Sequence, residues 1–397
     1  MANYSLGREQ IAWIAEETTF GTIPGSASVD SFVYTDAVRV ITATCNAKTE
    51  KESREDRDNS NTLRELIQKR RSGSFNVEMY LTGAGTNTTA PDWAVMAKSI
   101  FGTAAASGSD GYVFTPATDP ATSFAILLDE QTNRNYAQLA LGCVAKKMTV
   151  KGAGDDVWKV TFEGACADVI NYGRATVNVA ATAADTSLTC SDTSGIEAGG
   201  VLSVGSFSGE QLLVTAVSTS ANTLTVTRAW GATAAASIAS SSVLVPWSPA
   251  LASASYQTTG AIAGRLGSLT IQGTTVTMKN MEISMESGVK LLNDHIGTNK
   301  ADAYVFPEKR KFIVQSTLRL ERALAFAIIG MVKNHEQMAV VATVGDTSGN
   351  KFETRMTTAE LMETPDINYP ARDTVDVTLT MHGISATDNA EGTFAQV

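Results

Sequence analysis

The sequence predicts a mainly β protein with minor helical content: two tandem β-sandwich or barrel domains, each with one flanking helix, and a small Ig-like all-β domain inserted between them. Three observations lead there. Runs of alternating apolar and polar residues recur along the chain, the period of a strand with one buried face. The pattern of elements before residue 174 is repeated, in the same order, after residue 247. Between them, segment 175–246 shifts in composition to Ala, Ser, Thr, Val and Gly, with Asp185, Asp192, Glu197, Glu210 and Arg228 as its charges. The resulting boundaries are 1–174, 175–246 and 247–397, and a chain of 397 residues has room for two or three domains.

Each outer block opens on an extended run, 33–46 in the first and 268–285 in the second. A charged stretch follows, then a β-rich run, SFNVEMYL at 74–81 against KFIVQSTLRL at 311–320. A helix comes next. Pro91 suits a first helical turn, and Trp93, Met96, Ala97, Ile100 and Phe101 recur at the spacing of one buried helical face. Its counterpart is 321–332, apolar nearly all round, as a deeply buried helix would be. A hairpin follows in each block, 124–128 with 136–144 and 338–344 with 351–361, and each block closes on one more alternating strand, 157–164 and 375–383. In the insert, 212–217 and 223–227 alternate small polar and aliphatic side chains on either side of a Ser-Thr-Ser-Ala-Asn turn.

Lys and Arg number 31 against 41 Asp and Glu, a net charge of −10, which disfavours gripping nucleic acid as the main task. Arg8 and two glutamates beside the only short apolar run of the N-terminus make it neither a signal nor a transit peptide. No stretch of about 18 apolar residues exists, so no membrane insertion is expected. The four cysteines lie far apart without a CxxC pair, the pattern of buried free thiols rather than a zinc site or disulfide framework.

Catalytic signatures are missing from the sequence. His295, His335 and His382 do not stand at metal-ligand spacing. Gly205-Ser206-Phe207-Ser208-Gly209 carries Phe where a nucleophilic serine would sit, and no phosphate-binding glycine loop occurs. The run from Asp56 to Asn61 starts like a calcium loop but lacks the glycine at its sixth position and the glutamate at its twelfth, Ile67. No catalytic, cofactor-binding or metal-binding residue is therefore nominated, and no cofactor is expected. The charged stretch 48–71 reads either as a solvated loop or as a surface that docks a like copy of itself, because interspersed opposite charges fix register between subunits. The contact residues nominated in it are Glu50, Glu52, Arg54, Glu55, Asp56, Arg57, Asp58 and Arg64.

Four features together resemble the major tail tube proteins of long, non-contractile-tailed, siphovirus-type bacteriophages. They are Glu17-Thr18-Thr19-Phe20-Gly21-Thr22; the order strand, charged loop, strand, helix, hairpin; Leu141-Gly142-Cys143-Val144 leading into 157–164; and the insert. The insert's Gly195, Gly199, Glu210 and Leu224-Thr225-Val226-Thr227-Arg228 are similar to a small β-module of phage tail and baseplate proteins, although Ala229-Trp230-Gly231-Ala232-Thr233 departs from that module's usual ending. The resemblance implies a structural, non-enzymatic virion protein, with two tube domains per chain giving a homotrimeric, pseudo-sixfold ring. Stacked through the charged stretch, such rings form a hollow tube for DNA ejection, with the insert outside and an acidic lumen. It implies as partners the chain itself, a tape measure protein in the lumen, a tail terminator, distal tail proteins and the passing genome. The location implied is the virion tail, after synthesis in the host bacterial cytoplasm. Two rival expectations are a virion surface decoration or adhesion protein binding host glycans through the insert, and a tail-associated glycosidase using a carboxylate pair.

Overall fold

The strand Lys311–Arg319 shows how the sequence pattern becomes structure: Phe312, Val314, Ser316 and Leu318 turn inward, while Lys311, Gln315 and Arg319 face out. The computed structural model describes residues 10–24, 32–54, 66–120, 122–130, 134–205, 209–250, 256–319, 336–363, 365, 367–368 and 375–397. Among these the chain is mainly β, with one α-helix, Ala94–Phe101. The helix expected at 321–332 lies outside the described residues.

A single 19-stranded sheet draws on both outer blocks. Its central part has a repeated order. In the first block Thr42–Ser53 pairs with Leu66–Tyr80, which pairs with Lys159–Cys166, which pairs with the second half of Tyr136–Ala153, all antiparallel. In the second block Met278–Glu286 pairs with Lys311–Arg319, which pairs with Asp376–Gly383, which pairs in turn with the end of Asn350–Leu361 and with Ile367–Asn368. These two four-stranded units are joined edge to edge, residues 147–153 running antiparallel to 280–286. A second stitch is the strand Thr393–Gln396, which lies between Asn350–Leu361 and Gly111–Pro116.

The two blocks also share one core. Trp93, fully enclosed, has its ring 5.5 Å from Phe114 and 6.1 Å from Phe162 of the first block, and 5.6 Å from Phe352 and 6.1 Å from Phe394 of the second. Its indole N–H donates to the Thr82 carbonyl at 3.1 Å, so the ring is buried without losing a hydrogen bond. Met96, Ala97, Ile100 and Phe101 are buried as their spacing predicts. Pro91, however, precedes the helix: its carbonyl accepts from Ala94 in a turn, and the helix begins after Trp93.

Several strand boundaries differ from the sequence expectation. The run 268–285 is broken at Gln272 and Gly273, both with positive φ, into a hairpin, Gly267–Ile271 with Thr274–Val276, before Met278–Glu286 begins. The run 33–46 holds a 3-10 turn, Tyr34–Asp36, and its long strand starts only at Thr42. Tyr136–Ala153 runs well past 144 and changes partners at Gly142, whose φ of 61 bends it. Before that bend it pairs with Phe124–Glu130 and Asp168–Gly173; after it, with the two strands of the central sheet.

Segment 175–246 folds as one six-stranded sheet whose outer strands, Ala175–Thr176 and Ser187–Thr189, are brought together by the Val177–Cys190 bridge. Inside it Glu210 meets Arg228 through two parallel hydrogen bonds, 2.8 and 2.7 Å, with both side chains almost wholly buried. Burial opposes ionisation of Glu210, but the guanidinium and the N–H groups of Ala229 and Ala236 outweigh it and hold the carboxyl below its ordinary range.

The module is continuous with the body. Its Leu188, Val201, Leu212 and Leu244 belong to the same apolar cluster as Trp13, Leu139, Ile170 and Tyr172. The Tyr172 ring lies where a side chain on Gly200 would stand, so the glycine permits that closeness. Deleting 175–246 with a short linker is therefore expected to expose Ile170 and Tyr172, each worth about 1.5–3 kcal/mol of burial. A lower melting temperature and faster proteolysis than in the full chain would show this; an unchanged melting temperature would show a free-standing insert.

Candidate assembly surface

The central sheet buries one face and exposes the other. On the buried side Cys45, Phe75, Val77, Val150, Val160, Ile283, Val314 and Leu379 line the core. The side chains that alternate with them are polar: Thr44, Asn76, Thr149 and Thr161 in the first block, and Glu282, Gln315, Thr317 and Thr378 in the second. Charges on this face are placed in cross-strand pairs. At the joint between the blocks Lys147 lies 3.4 Å from Glu286, and Lys151 lies 3.7 Å from Glu282. Lys311 lies 3.6 Å from the other oxygen of Glu286, and Lys159 lies 3.5 Å from Glu78. The chain's net acidity therefore does not gather on this face. Such exposed pairs contribute little stability each, but like charges directly opposite would be unfavourable, so they specify register.

The sheet ends on two open edges. Thr42–Ser53 pairs with Leu66–Tyr80 alone among the described strands, and Ile367–Asn368 pairs with Asp376–Gly383 alone. An open edge presents backbone donors and acceptors that another strand can complete. These two edges have filled counterparts inside the chain. By position in the shared strand order, Thr42–Ser53 occupies the place of Met278–Glu286, and Ile367–Asn368 occupies a place like that of the second half of Tyr136–Ala153. The edges that meet within the chain are thus the same two kinds that remain open at its ends.

The charged stretch is not a simple loop. Residues 48–53 and 66–71 are paired strands of a long hairpin. Of the nominated contact residues, Glu50 lies 3.0 Å from Lys48, and Glu52 lies 2.6 Å from Lys69. The Lys48 ammonium lowers the Glu50 carboxyl below its ordinary value, and Glu52 raises Lys69. Arg54 follows the strand and is exposed. Glu55, Asp56, Arg57, Asp58 and Arg64 lie outside the described residues.

Arg70 and Arg71 serve the fold instead. Arg70 donates to the His295 carbonyl at 2.6 Å, and Arg71 bridges Asp168 at 3.1 Å and Glu197 of the insert at 3.0 Å. His295 in turn pairs with Asp302 across its own hairpin, which lifts its pKa. The sequence reading missed Lys147, Lys151, Glu282 and Glu286, although their signal was present: a four-residue lysine spacing and a four-residue glutamate spacing on two strands.

The structure brings two of the singled-out motifs together. Glu17 accepts from the Gly142 N–H at 2.7 Å, the Gly21 N–H at 3.0 Å and the Ser123 hydroxyl at 2.8 Å. Phe20 packs where a side chain on Gly142 would clash, and its ring lies 5.3 Å from Tyr304 of the second block. The bend in the long strand is thus held by the N-terminal motif. Cys143 and Cys166 lie beside it as buried free thiols, their sulfurs 3.4 Å apart. Among the described residues no group of three or more His, Cys, Asp or Glu could hold a metal ion, and no helix is long and apolar enough to cross a membrane. No family model and no curated protein matches the chain.

Burial raises Glu17 to about 7, despite its donors, and raises Asp36 and Asp92 to about 6. Each of these carboxyls binds its proton more tightly in the folded chain than in the unfolded one. The stability each contributes is full below its unfolded value and is lost as pH rises through 6 to 7. The melting temperature is expected to fall between about pH 5 and about pH 8, and Glu17→Gln should remove roughly half of that fall, chiefly its upper part near pH 7, leaving the share of Asp36 and Asp92. A Glu17→Gln variant that kept the whole wild-type slope would remove Glu17 as a contributor to it.

Proposed function

We propose that this chain is a tail tube subunit of a long, non-contractile-tailed bacteriophage, a structural virion protein without catalysis. One observation carries the reading: two sheet units of identical strand order are joined head to tail, and the edges left open are of the same two kinds as the edges already joined. Repeating a head-to-tail joint from chain to chain gives a ring when the rotation closes and a helical filament when it does not. A closed ring covers both of these open edges of the central sheet.

In this reading three chains supply six such units and form a pseudo-sixfold ring. The polar, charge-paired face lines the lumen, and rings stack through the hairpin that carries Glu50, Glu52 and Arg54. A lumen whose lysines lie beside glutamates, Lys151 by Glu282, Lys159 by Glu78, and Lys147 and Lys311 sharing Glu286, offers few uncompensated cations to condense on phosphates, so DNA passes without being held. The insert sits outside, anchored through Tyr172 and Arg71. The further partners are a tape measure protein, a tail terminator and distal tail proteins, and the location is the virion tail.

Negative-stain microscopy of the concentrated, purified protein tests this directly. Hollow rings or tubes whose end views show three outer knobs are expected. Particles that stay monomeric at every concentration, and also with tail initiator components added, would refute it.

A further inference from the structure

Besides the central sheet, each block carries a second set of four strands, and the two sets repeat one order. Gln10–Glu16 pairs with Phe124–Glu130, which pairs with the first half of Tyr136–Ala153, which pairs with Asp168–Gly173. Likewise Gly267–Ile271 pairs with Met338–Thr347, which pairs with Asn350–Leu361, whose first half pairs with Thr393–Gln396. Asp168–Gly173 and Thr393–Gln396 are therefore equivalent last strands, yet their outer edges are covered differently. Thr393–Gln396 is covered by Gly111–Pro116, half of a hairpin with Gly102–Ser107 that the first block sends across the joint. Asp168–Gly173 is covered by the chain's own insert. The Gly173 N–H donates to the Gly195 carbonyl at 2.8 Å, Tyr172 bridges to Ile196, and the Asn171 N–H donates to the Glu197 carboxylate at 3.3 Å. The third N–H on that edge, from Val169, donates to the Asp168 side chain, and Arg71 holds Asp168 and Glu197 together.

The second block has no length to spare for a hairpin of this kind. Residues 81–123 separate Leu66–Tyr80 from Phe124–Glu130 and hold both the α-helix and the hairpin, whereas residues 320–337, fewer than half as many, separate Lys311–Arg319 from Met338–Thr347. A segment that short has room for one of the two elements and not for both. Where a ring repeats the internal joint between copies, the second block of one chain therefore meets Asp168–Gly173 of the next with no strand to lay along it. Resting on the ring reading above, we infer that the insert stands in for the missing hairpin: its segment 194–198 seals that edge and presents the surface on which the second block of another copy docks. Within the chain, Gly111–Pro116 lies between the strand it covers and the hairpin half Gly102–Ser107 of the block that supplies it. By the same order, the neighbour on the far side of 194–198 is the second block of the adjoining copy, and Ser194 and Ala198 are exposed there. An edge whose N–H groups already have acceptors does not recruit a stray strand, so the insert also protects this edge of a subunit before it assembles.

Photo-crosslinking in the full chain tests this. The photoreactive residue p-benzoylphenylalanine replaces Ala198 or, as a control, Ala184, which is exposed in a turn whose carbonyls are held by Arg228 of the insert itself. Irradiation of the assembled Ala198 variant is expected to join two chains, with the captured peptide coming from 247–397 of the second chain. The adduct should be lost from the Ala184 variant, and from the Ala198 variant diluted until its rings dissociate. Both replaced side chains are exposed, and melting curves that match the wild type will show that folding is unaffected. Rings that form while Ala198 captures only its own chain, only the first block of another copy, or nothing, would overturn the role of the insert and leave the ring intact. Capture as strong from Ala184 as from Ala198 would do the same. A wild type that never assembles would overturn the ring reading and this inference with it.

Discussion

The antiparallel pairing of residues 147–153 with 280–286 is the constraint on which the rest of the structure depends. Without it the two four-stranded units would each end on an open edge, and the core between them would lose a wall. With it, the blocks share a sheet, a single aromatic cluster around Trp93 and one polar face. The joint also explains why Tyr136–Ala153 is so long. One strand has to serve a mostly buried region before Gly142 and a half-exposed one after it, and the bend at Gly142 turns it from the first environment to the second.

That bend accounts for the placement of the N-terminal motif. A strand that changes direction leaves backbone N–H groups without ladder partners, and the Gly142 N–H finds the Glu17 carboxylate. Burying a carboxyl for that task has a cost, visible in its raised pKa, and three donors offset part of it. Phe20 then fills the space a glycine leaves and reaches Tyr304, so the same short motif ties first strand, bend and second block.

Much of this was legible in the sequence, and the reasons for the rest are physical. Alternation in 74–81, 311–320 and 375–383 marked the strands because each has one wet face and one dry face, and the helical face of Trp93, Met96, Ala97, Ile100 and Phe101 was marked for the same reason. The strand portions of 48–71 were hidden because a hairpin exposed on both sides, as at Lys48, Glu50 and Glu52, has no apolar period to display. The break at Gln272 and Gly273 was hidden because the alternation continues through it on both sides. Sharing of one core could not be read at all: a buried phenylalanine has the same pattern whether the ring beside it, as at Phe352 and Trp93, comes from its own block or another. Edge complementarity fell in the same class, since Lys147 and Glu286 meet only after the sheet has closed.

The strand Thr393–Gln396 has a consequence for the order of folding. It completes the ladder of Gly111–Pro116 and stacks Phe394 on Phe352 at 5.7 Å, yet it is synthesised after every other described strand. The first block's core therefore stays unfinished while the ribosome is still making the second, and no N-terminal portion can reach its final packing ahead of the rest. Pairings this distant in sequence make folding slow and whole-chain in character. A nascent chain thus carries its opening edge, at 42–48, through most of its synthesis before the closing edge at Ile367–Asn368 exists to receive one.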